Sequence, residues 1–593
     1  MGESRRYFLD VRRSVSGLGW AHRLSERQEM TALAMAQSRG VPDLIARVLA
    51  GRGVDAEGAE RFLAPTIRDL LPDPATLTDM DAAAARLADA VKRGERVAVF
   101  GDYDVDGAAS SALMKRFLSH YGIESEIYIP DRIFEGYGPN PEAMRELARR
   151  ASLIVTVDCG TNSAPSIAAA REAGADVVVL DHHQVGGDLP AGTPVVNPNR
   201  EDDLSGQGHL CAAGVVFLTL VQTARLLRGE SGLPQPPDLL SLLDLVALAT
   251  VCDVVPLTGV NRAFVVKGLL VARQQSNVGM AALARVARIG EPLGTFHLSF
   301  LLGPRINAGG RIGDAALGSR LLATDDPVEA QKIAETLDRL NQERQAMEQA
   351  MLAAARDEAD AELAHGHGPA VLVTASPDWH PGVVGLIAAR LKEYARRPAF
   401  AIAFNANGVG TGSGRSVSGF DLGRLVREAA ARGLIVKGGG HAMAAGITVE
   451  REKLGHLRAF FEEQAAAEVQ RLRAEETLLV DAALSAEGAT LDLLDRLEQA
   501  GPFGSGHPSP LFVLPRHRLL DARPVGANHI RAELRSEIGG RIQVMAFRAV
   551  DTELGNFLMK NRDRPLHVAG TLGGNHWNGQ RSVQFRVTDV ASA

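Results

Sequence analysis

The sequence predicts an α/β protein with a parallel-sheet domain, a long helix leading to a smaller α/β domain, and a C-terminal β-barrel. Three patterns support this fold class. Strand-like apolar runs alternate with helical segments from Arg96 to Asp181, which is typical of a parallel sheet covered by helices. Residues 324–365 contain almost no glycine or proline, and short strands separated by turns follow Leu478. A chain of 593 residues is also too long for a single core.

Residues 1–75 have the pattern of a small helical leader. Residues 42–49 place apolar side chains at helical spacing, and this pattern ends at Gly51-Arg52-Gly53. We therefore expect the chain to begin with a separate helical segment.

Residues 76–323 are predicted to form the parallel-sheet domain. The predicted strands are Val97–Gly101, Glu126–Pro130, Leu153–Asp158 and Asp176–Leu180. The predicted helices between and after them are Ala108–Tyr121, Pro141–Arg150, Ala164–Ala173 and Leu239–Thr250. This alternation predicts that the carboxyl ends of the strands meet at one edge of the sheet.

The rest of the chain is predicted to contain one helix and two further domains. Ile333, Leu337 and Leu340 recur at helical spacing, so residues 324–365 are expected to be one long connecting helix. The second α/β domain, residues 366–477, is expected to contain strand Ala370–Thr374, helix Val383–Tyr394, strand Ala399–Phe404 and a glycine-rich segment ending at Gly446.

The C-terminal domain, residues 478–593, has short strands with alternating side chains and Gly or Asn turns. The predicted strands are Ile530–Leu534, Ile542–Phe547, Leu566–Thr571 and Ser582–Val587. This pattern suggests a small barrel of the OB type.

Composition excludes several classes of protein. The formal net charge of −7 argues against binding nucleic acid through bulk charge, although it permits a local basic groove. Cys159, Cys211 and Cys252 form no CxxC pair, which fits a reducing cytosol. No signal peptide is apparent, and no apolar run approaches the roughly 20 residues that span a membrane. We expect a cytoplasmic protein without membrane contact. The sequence contains no GxxxxGK[ST] phosphate-binding loop, which argues against an ATP-driven motor.

Carboxylates and histidines follow several of the predicted strands and one helix. These groups are Asp104 and Asp106, Asp158, Asp181-His182-His183, and Asp253. Carboxylate oxygens with one or two imidazoles suit Mn²⁺ or Mg²⁺ better than a metal that prefers thiolates. The sequence therefore predicts a site for divalent cations at the edge of the sheet.

Each of these motifs alone has a simpler interpretation. Asp102, Asp104 or Asp106 could be a turn residue or the N-cap of the following helix. Asp158 could be a turn carboxylate, His182 a buried core histidine, and Asp253 only the residue after a helix. Their joint position at the ends of strands favours the metal site.

The predicted chemistry involves two ions. Two divalent cations about 3.5–4 Å apart can share one carboxylate, activate a water and stabilise the phosphoryl oxygens during an in-line displacement. Asp158 is our candidate for the shared carboxylate. His183 points to the opposite side of the backbone from His182, so we expect it to contact the scissile phosphate.

The motifs resemble those of the DHH phosphoesterase superfamily, and most closely its single-strand-specific DNA exonucleases. The matching segments are 100–107 (FGDYDVDG), 157–160 (VDCG), 181–183 (DHH) and 250–257 (TVCDVVPL). The similarity continues through 302–311, 380–385 and 413–416, and reaches 438–441 (GGGH), the signature of the associated DHHA1 domain. It also covers the leader and the segment 501–508, where His507 replaces the usual Asn without an expected catalytic consequence.

This resemblance implies a set of site residues. The implied metal ligands are Asp104, Asp106, Asp158, His182 and Asp253. The implied supporting residues are Asp181, which would orient His182, and Asp102, which could either bind metal or cap a helix. The implied catalytic residues are Asp158, His182 and His183. The implied contacts to phosphates and the DNA end are Arg305, Arg311, Ser413, Arg415 and His441.

The resemblance further implies an exonuclease that removes nucleotides from the 5′ end of single-stranded DNA during repair and recombination, with single-strand-binding protein and a RecQ-type helicase as partners. The barrel would bind single strands through a basic groove with a stacking aromatic ring. The candidates are Arg531, Arg535, Arg541, Arg548 and Trp577. Two alternatives remain open: a phosphodiesterase of short oligonucleotides or cyclic dinucleotides, and a DNA-binding scaffold without activity.

Overall fold

A computed structural model describes residues 6–131, 135–136, 138–364, 367–577 and 580–593. The chain divides into two units. The first unit comprises Met1–Pro72, Val254–Lys267 and Glu476–Ala593, and the second comprises Asp73–Asp253 and Gly268–Glu475. The five domain ranges proposed from the sequence remain predictions. Among the described helices, none has the length and apolar character needed to cross a bilayer.

A five-stranded parallel sheet, called here the catalytic sheet, organises the first half of the second unit. Its strands in spatial order are Ser125–Tyr128, Val97–Phe100, Leu153–Val157, Asp176–Leu180 and Val195–Val196. All neighbouring strands are parallel. Strands Val97–Phe100 and Leu153–Val157 are buried along their whole length and are apolar except at Thr156, as expected for a sheet covered on both faces. The fold class predicted for this domain is confirmed.

Helices cover this sheet and continue beyond it. The helices of the second unit before the long helix are Met80–Arg93, Val105–His120, Pro141–Ala148, Ala164–Glu172, Ala212–Leu227, Leu243–Cys252, Val278–Val286, Gly303–Ile312 and Leu317–Ala323. Helix Gly259–Arg273 begins in the first unit and ends in the second. Shorter turns are the 3₁₀ segments Pro74–Thr76 and Leu239–Leu242 and the π-helical segment His297–Leu302. The predicted helix at Ala108 begins three residues earlier, because Asp104 caps it at Val105.

The predicted long helix is confirmed as Pro327–Leu363, and it leads to a second, mixed sheet. The strands of this second sheet in spatial order are Lys437–His441, Ala444–Glu450, Val409–Arg415, Ala399–Phe404 and Leu372–Ser376. Its helices are Val384–Ala395, Leu422–Ala431 and Leu454–Glu475, with a 3₁₀ turn at Arg451–Lys453. The glycine-rich segment noted in the sequence contributes three antiparallel strands, with helix Leu422–Ala431 between the first two of them in sequence.

A closed five-stranded barrel forms the C-terminal part of the first unit. Its strands are Phe512–Val525, His529–Arg535, Arg541–Ala546, Gln580–Ser592 and Pro565–Trp577, and pairing of the first with the last closes the barrel. The four predicted strands are confirmed; three of them are longer than predicted, and the strand predicted as Ile542–Phe547 is shifted by one residue to Arg541–Ala546. Phe512–Val525 was not predicted, because Pro515 and several arginines interrupt its apolar alternation. The short strand Ala482–Ala483 and helices Leu491–Ala500 and Glu553–Lys560 complete this part.

The leader predicted to be helical is mostly helical but also contains one strand. The leader contains helices Glu26–Arg39, Asp43–Ala50, Ala59–Leu63 and Ile67–Leu70 and a 3₁₀ turn at Phe8–Asp10. It also contains the strand Gly19–His22, which pairs in parallel with Thr477–Val480. A four-residue strand is too short to show periodicity, and its partner lies more than 450 residues away in sequence. Apolar side chains of the leader and of the barrel share one core.

A buried ion-pair network also joins the leader to the barrel. The Asp481 carboxylate, 1% exposed, accepts hydrogen bonds from both terminal nitrogens of Arg52. The same carboxylate accepts from Arg23 Nε at 3.2 Å and from the Leu511 amide at 2.9 Å. Every oxygen of this buried group is therefore satisfied by a donor from the leader or the barrel.

His507 predicts a pH dependence for the stability of the first unit. Its ring is fully buried, stacks on Phe503 and lies 2.8 Å from the Ala500 carbonyl through Nε2. Burial, followed by the charges of Arg262 and Arg52, lowers the pKa of His507 to about 4. Because the unfolded histidine binds its proton near pH 6.5, stability should be lost as the pH falls from about 6.5 to about 4, by up to about 3 kcal/mol.

The variant His507→Asn isolates this effect, because asparagine has no proton to gain. Thermal unfolding of both proteins between pH 7 and pH 4.5 should show a steeper loss of Tm in the natural chain. Parallel pH profiles would contradict the assignment of this titration to His507. Cleavage activity at neutral pH should be the same in both, as expected for a residue of the first unit that belongs to none of the predicted metal motifs.

Candidate metal centre and phosphate site

The predicted ligands meet at the carboxyl ends of neighbouring strands of the catalytic sheet. Asp102 and Asp104 follow strand Val97–Phe100, Asp158 follows Leu153–Val157, and the triplet 181–183 follows Asp176–Leu180. Because these strands are adjacent and parallel, their ends place the three motifs side by side. Helix Leu243–Cys252 ends at Asp253 and adds the fourth motif.

These side chains form three overlapping groups in which the ligand atoms lie within 4.8 Å of one another. The groups are Asp158–His182–His183, Asp106–His182–Asp253, and Asp102–Asp104–Asp158. His182 Nε2 lies 3.3 Å from Asp158 Oδ1, 3.7 Å from Asp106 Oδ2 and 3.8 Å from Asp253 Oδ2. Asp158 and His182 each belong to two groups. Of the two, only the Asp158 carboxylate has the lone pairs to be shared by two nearby ions, whereas the His182 Nε2 can bind one.

Asp158 combines burial with backbone strain. It is 2% exposed, and its φ of +60° is a conformation that residues other than glycine rarely adopt. Among the described residues, no donor makes a hydrogen bond to Asp158 Oδ1. Strained residues persist where the surrounding structure fixes them and cluster at functional sites. The geometry leaves this oxygen directed at the other ligands rather than at a protein donor.

The electrostatics of the cluster fit divalent cations. Burial, then the charges of Asp106, Asp104, Asp102 and Asp253, raises the pKa of Asp158 well above its ordinary range. Burial and the charges of Asp106 and Asp104 likewise raise the pKa of Asp253 to about 9. Crowded, buried carboxylates are stabilised by a nearby positive charge, and oxygen-rich groups of this kind prefer Mg²⁺ or Mn²⁺. The residues therefore fit two divalent ions.

Asp104 and Asp106 also hold helices in place. Asp104 Oδ1 accepts from the amides of Asp106 and Gly107 at 2.9 and 3.1 Å, which caps helix Val105–His120. Asp106 accepts from the amides of Ala212 and Ala213 at 2.6 and 2.8 Å. Since a carboxylate offers about four lone-pair positions, capping leaves acceptor positions for a metal. Asp102 is not this cap; its role as ligand or support remains a prediction.

The expectation that Asp181 orients the His182 imidazole is wrong. Asp181 Oδ1 lies 2.8 Å from His183 Nδ1, while its bond to His182 involves only the backbone amide at 2.8 Å. Asp181 and His183 both lie in the turn that follows strand Asp176–Leu180, and the folding of this turn brings their side chains together. Asp181 Oδ2 accepts from the Thr161 amide at 3.0 Å.

This pair gives His183 a positive charge. Burial alone would raise the pKa of Asp181, but the hydrogen bond and charge of His183, with hydrogen bonds from Thr161, hold it well below its usual range. Burial likewise opposes protonation of His183, yet Asp181, followed by Asp104 and Asp102, raises its pKa to about 9. A protonated imidazole that is 41% exposed suits contact with a phosphate oxygen.

Three of the predicted phosphate contacts lie together on the second sheet. Arg415 Nη1 donates to Ser413 Oγ at 2.8 Å. Gly385 packs closely against this pair, because a Cβ atom at Gly385 would lie only 3.1 Å from Ser413 Oγ and 3.1 Å from Arg415 Nη2. Gly385 is in the first turn of helix Val384–Ala395, whose positive end favours anions. Burial and the charges of Arg415 and His183 lower the pKa of His441. Arg415, His441 and His183 are therefore close enough to influence one another.

The other two predicted phosphate contacts are engaged with protein groups. Arg305 donates to Asp338 Oδ1 of the long helix at 2.8 Å and to the Leu301 carbonyl at 2.7 Å. Arg311 donates to the Gly382 carbonyl at 3.0 Å, which ties helix Gly303–Ile312 to the second sheet's domain. Their roles at phosphate remain predictions.

Three family models match this chain: "DHH family, N-terminal domain" over residues 96–250, "DHHA1 domain" over 368–467, and "RecJ OB domain" over 480–589. The single-stranded-DNA-specific exonuclease RecJ of Salmonella typhimurium is 36% identical over 566 residues, which are 93% of this chain and 96% of that protein. The chain belongs to the RecJ family.

Solved RecJ structures agree with this membership. The crystal structure of RecJ from Thermus thermophilus in complex with Mn²⁺ has a TM-score of 0.78 and 31% identity, covering 97% of this chain and 79% of that one. The Mg²⁺ complex has a TM-score of 0.73 and 30% identity, with coverage of 97% and 78%. The predicted superfamily, the fold class and the choice of Mn²⁺ or Mg²⁺ are thereby confirmed.

In this RecJ-family chain, sequence reasoning missed residues that hold the two histidines. Asn197 Nδ2 donates to the His183 carbonyl and to Thr161 Oγ1, both at 2.9 Å. Asn199 Nδ2 donates to the His182 carbonyl at 2.5 Å. The only sequence signal is Asn-Pro-Asn after Val195–Val196, a strand too short to be recognised by its periodicity.

The barrel candidates are distributed over its strands. Arg531 and Arg535 lie on strand His529–Arg535, and Arg541 pairs with Glu533 at 3.3 Å. The Arg548 amide donates to His529 Nδ1 at 3.0 Å. The side chain of Trp577 lies outside the described residues. Their contribution to DNA binding remains a prediction.

Proposed function

We propose that this protein is a metal-dependent exonuclease that removes nucleotides from the 5′ end of single-stranded DNA by phosphodiester hydrolysis. The observation that carries the proposal is the position of Asp158 and His182, each common to two potential ligand groups at the sheet edge of a RecJ-family chain. A two-ion site of this kind is suited to in-line displacement at phosphorus.

The residues that would hold the two ions are Asp104, Asp106, Asp158, His182 and Asp253. When bound, divalent ions lower the pKa of water and stabilise charge on phosphoryl oxygens. The protein contributes the rest. His183, held protonated by Asp181, would donate to an oxygen of the scissile phosphate. The strained backbone at Asp158 fixes that carboxylate between the two ligand groups before substrate arrives.

The group formed by Ser413, Arg415 and His441 would hold a phosphate of the DNA end. The guanidinium offers a planar fork, and the start of helix Val384–Ala395 offers backbone amides. Gripping the terminal phosphate beside the metal ligands would place the first phosphodiester bond at the ions. The proposed 5′-end polarity itself follows from the sequence resemblance to the single-strand-specific exonucleases.

Replacing Arg415 with alanine should weaken substrate engagement rather than chemistry. We expect KM for a single strand to rise about 10-fold or more, because a charge-assisted hydrogen bond to phosphate is lost. The slope of log affinity against log salt should become shallower by about 0.7. The control Arg424→Ala removes a guanidinium that is 57% exposed and pairs with Glu468. A change in kcat alone, with KM and the salt slope intact, would refute this role.

The proposed reaction is tested with single strands labelled at the 5′ or the 3′ end, incubated with Mn²⁺, Mg²⁺ or EDTA. We expect early release of a labelled mononucleotide from the 5′-labelled strand and a shrinking ladder from the 3′-labelled strand, with either metal. EDTA should stop both. Absence of nucleotide release under both metals would overturn the activity, and early release from the 3′ label would overturn the polarity.

Two other functions are less well supported. A phosphodiesterase of dinucleotides needs no barrel, whereas residues 480–589 match the RecJ OB domain. A scaffold without activity is expected to have lost metal ligands, and every predicted ligand position is filled here. Faster turnover of a 30-nucleotide strand than of a dinucleotide would exclude the phosphodiesterase. Cleavage that requires metal and stops with EDTA would exclude the inactive scaffold.

The biological setting is also part of the proposal. Single-stranded DNA is the substrate that the RecJ relatives' names specify. A role in repair and recombination, a cytoplasmic location and contact with single-strand-binding protein or a RecQ-type helicase follow from the sequence resemblance. Pull-down of each purified partner by the full-length protein tests the contacts. A partner that does not bind would be removed from the proposal.

A further inference from the structure

The short segment Asn197–Asn199 lies beside the Asp181-His182-His183 turn. Strand Val195–Val196 pairs in parallel with the end of Asp176–Leu180, and the Asp181 amide donates to the Val196 carbonyl at 3.1 Å. Asn197 therefore leaves its strand at the same level at which Asp181 leaves the neighbouring strand. The register alone brings these two turns into contact.

Asn197 is fully buried and uses its whole side-chain amide. Its two N–H bonds reach the His183 carbonyl and Thr161 Oγ1, each at 2.9 Å, and its Oδ1 accepts from the Asn199 amide at 2.9 Å. Thr161 in turn donates its own amide to Asp181. A continuous set of hydrogen bonds thus runs from Asn197 through Thr161 to the carboxylate that contacts His183.

Asn199 holds the other histidine. Its Nδ2 donates to the His182 carbonyl at 2.5 Å, from a half-buried position. The carbonyls of both histidines therefore receive an amide donor from one three-residue segment. Fixing the backbone at both carbonyls fixes the positions from which the two imidazoles extend toward the aspartates.

We infer that Asn197 and Asn199 are positioning residues that aim His182 at the metal ions and His183 at the phosphate. Asparagine suits this position because it donates to carbonyls without adding charge beside a cluster of aspartates. An aspartate of the same shape would offer no donor and would face the carbonyl oxygens with its own. The inference rests on the proposed metal site, since it concerns how that site is held.

The test measures Mn²⁺ affinity by calorimetry on full-length, metal-depleted protein, together with the electron paramagnetic resonance spectrum of bound Mn²⁺. Asn199→Ala removes one donor, and Asn197→Asp removes two while adding a negative charge. We expect both to weaken Mn²⁺ binding about 10–100-fold, as loss of a ligand's hydrogen-bond partner generally does. The added charge of Asn197→Asp would by itself strengthen cation binding, so weaker binding there reports lost positioning.

A matched control is Asn277→Asp. Asn277 is also buried and donates Nδ2 to a backbone carbonyl, that of Leu322, but it caps helix Val278–Val286 away from the ligand motifs. Its Mn²⁺ affinity should equal that of the natural chain. A purely structural role for Asn197 or Asn199 would lower Tm in the same way as the control and leave Mn²⁺ affinity and spectrum unchanged.

Kinetics add a second criterion. Both variants should lower kcat and leave KM for single strands within about twofold, because the contacts to the DNA end are intact. Unchanged Mn²⁺ affinity in folded Asn199→Ala overturns the role of Asn199, and unchanged or tighter binding in folded Asn197→Asp overturns that of Asn197. If Asn197→Asp does not fold, Asn197→Ser, which keeps one donor, decides by the same readout. Mn²⁺ binding that is insensitive to Asp158→Ala would instead refute the metal site itself.

Discussion

Replacing Asp158 with alanine should abolish DNA cleavage and leave single-strand binding nearly intact. Asp158 is the carboxylate common to two ligand groups, so its loss removes oxygen ligands from both ions at once. Ions of this kind supply several kcal/mol of stabilisation to the transition state, and kcat should fall by at least about 1,000-fold. The contacts to the DNA end involve Ser413, Arg415 and His441, which this substitution does not touch.

In the metal-free protein, the same variant should keep or raise the unfolding temperature, in contrast to its loss of activity. Burial and four neighbouring aspartates disfavour the charged form of Asp158, so its removal relieves repulsion. The metal-free variant should therefore unfold at the same or a higher temperature than the natural chain, which excludes misfolding as the cause of lost activity. The control Asp89→Ala removes an exposed carboxylate from helix Met80–Arg93 and should change neither property. Cleavage by Asp158→Ala near the natural rate would refute its assignment.

Replacing Asp481 with alanine should cause the largest loss of stability in the first unit. The Arg52 side chain is only 2% exposed, and burial lowers the pKa of Arg52 against the opposing effect of Asp481. Without Asp481, Arg52 would keep hydrogen bonds to the Val48 and Pro508 carbonyls, but Arg52 and Arg23 would both lose the negative charge beside them. Breaking a buried ion pair on one side costs about 3–5 kcal/mol.

Calorimetric unfolding of the full-length protein measures this effect. Asp481→Ala should lower the midpoint temperature of unfolding of the first unit by many degrees. The midpoint temperature of the second unit should not change. The control Glu533→Ala removes an exposed partner of Arg541 on the barrel, and such pairs contribute at most about 1 kcal/mol. Equal effects of the two substitutions would show that the Asp481 network does not stabilise the first unit.

The sequence was sufficient to predict the meeting of the aspartates and histidines, because parallel strands fix the position of their ends. Asp104, Asp158 and His182 each follow an apolar run long enough to be recognised as a strand. The long helix Pro327–Leu363 was equally predictable from its lack of glycine and its helical spacing. These features depend on local patterns, and local patterns are visible in one sequence.

Features that depend on contacts between distant segments were not predictable. The partner of Arg305 is Asp338, on another helix, and nothing in the local pattern distinguishes this pair from a phosphate contact. The preference of Asp181 for His183 over His182 is decided by how the turn folds after the strand, which no spacing specifies. Strand Gly19–His22 is likewise defined only by its pairing with Thr477–Val480.

The proposed function of this RecJ-family chain depends on two divalent ions held at the ends of the catalytic sheet, with Asp158 between them. Anomalous diffraction from crystals of the full-length protein soaked in Mn²⁺ would locate these ions. We expect two anomalous peaks about 3.5–4 Å apart, both within bonding distance of Asp158 and one beside His182 Nε2. A single peak, or two peaks that do not share Asp158, would contradict this arrangement.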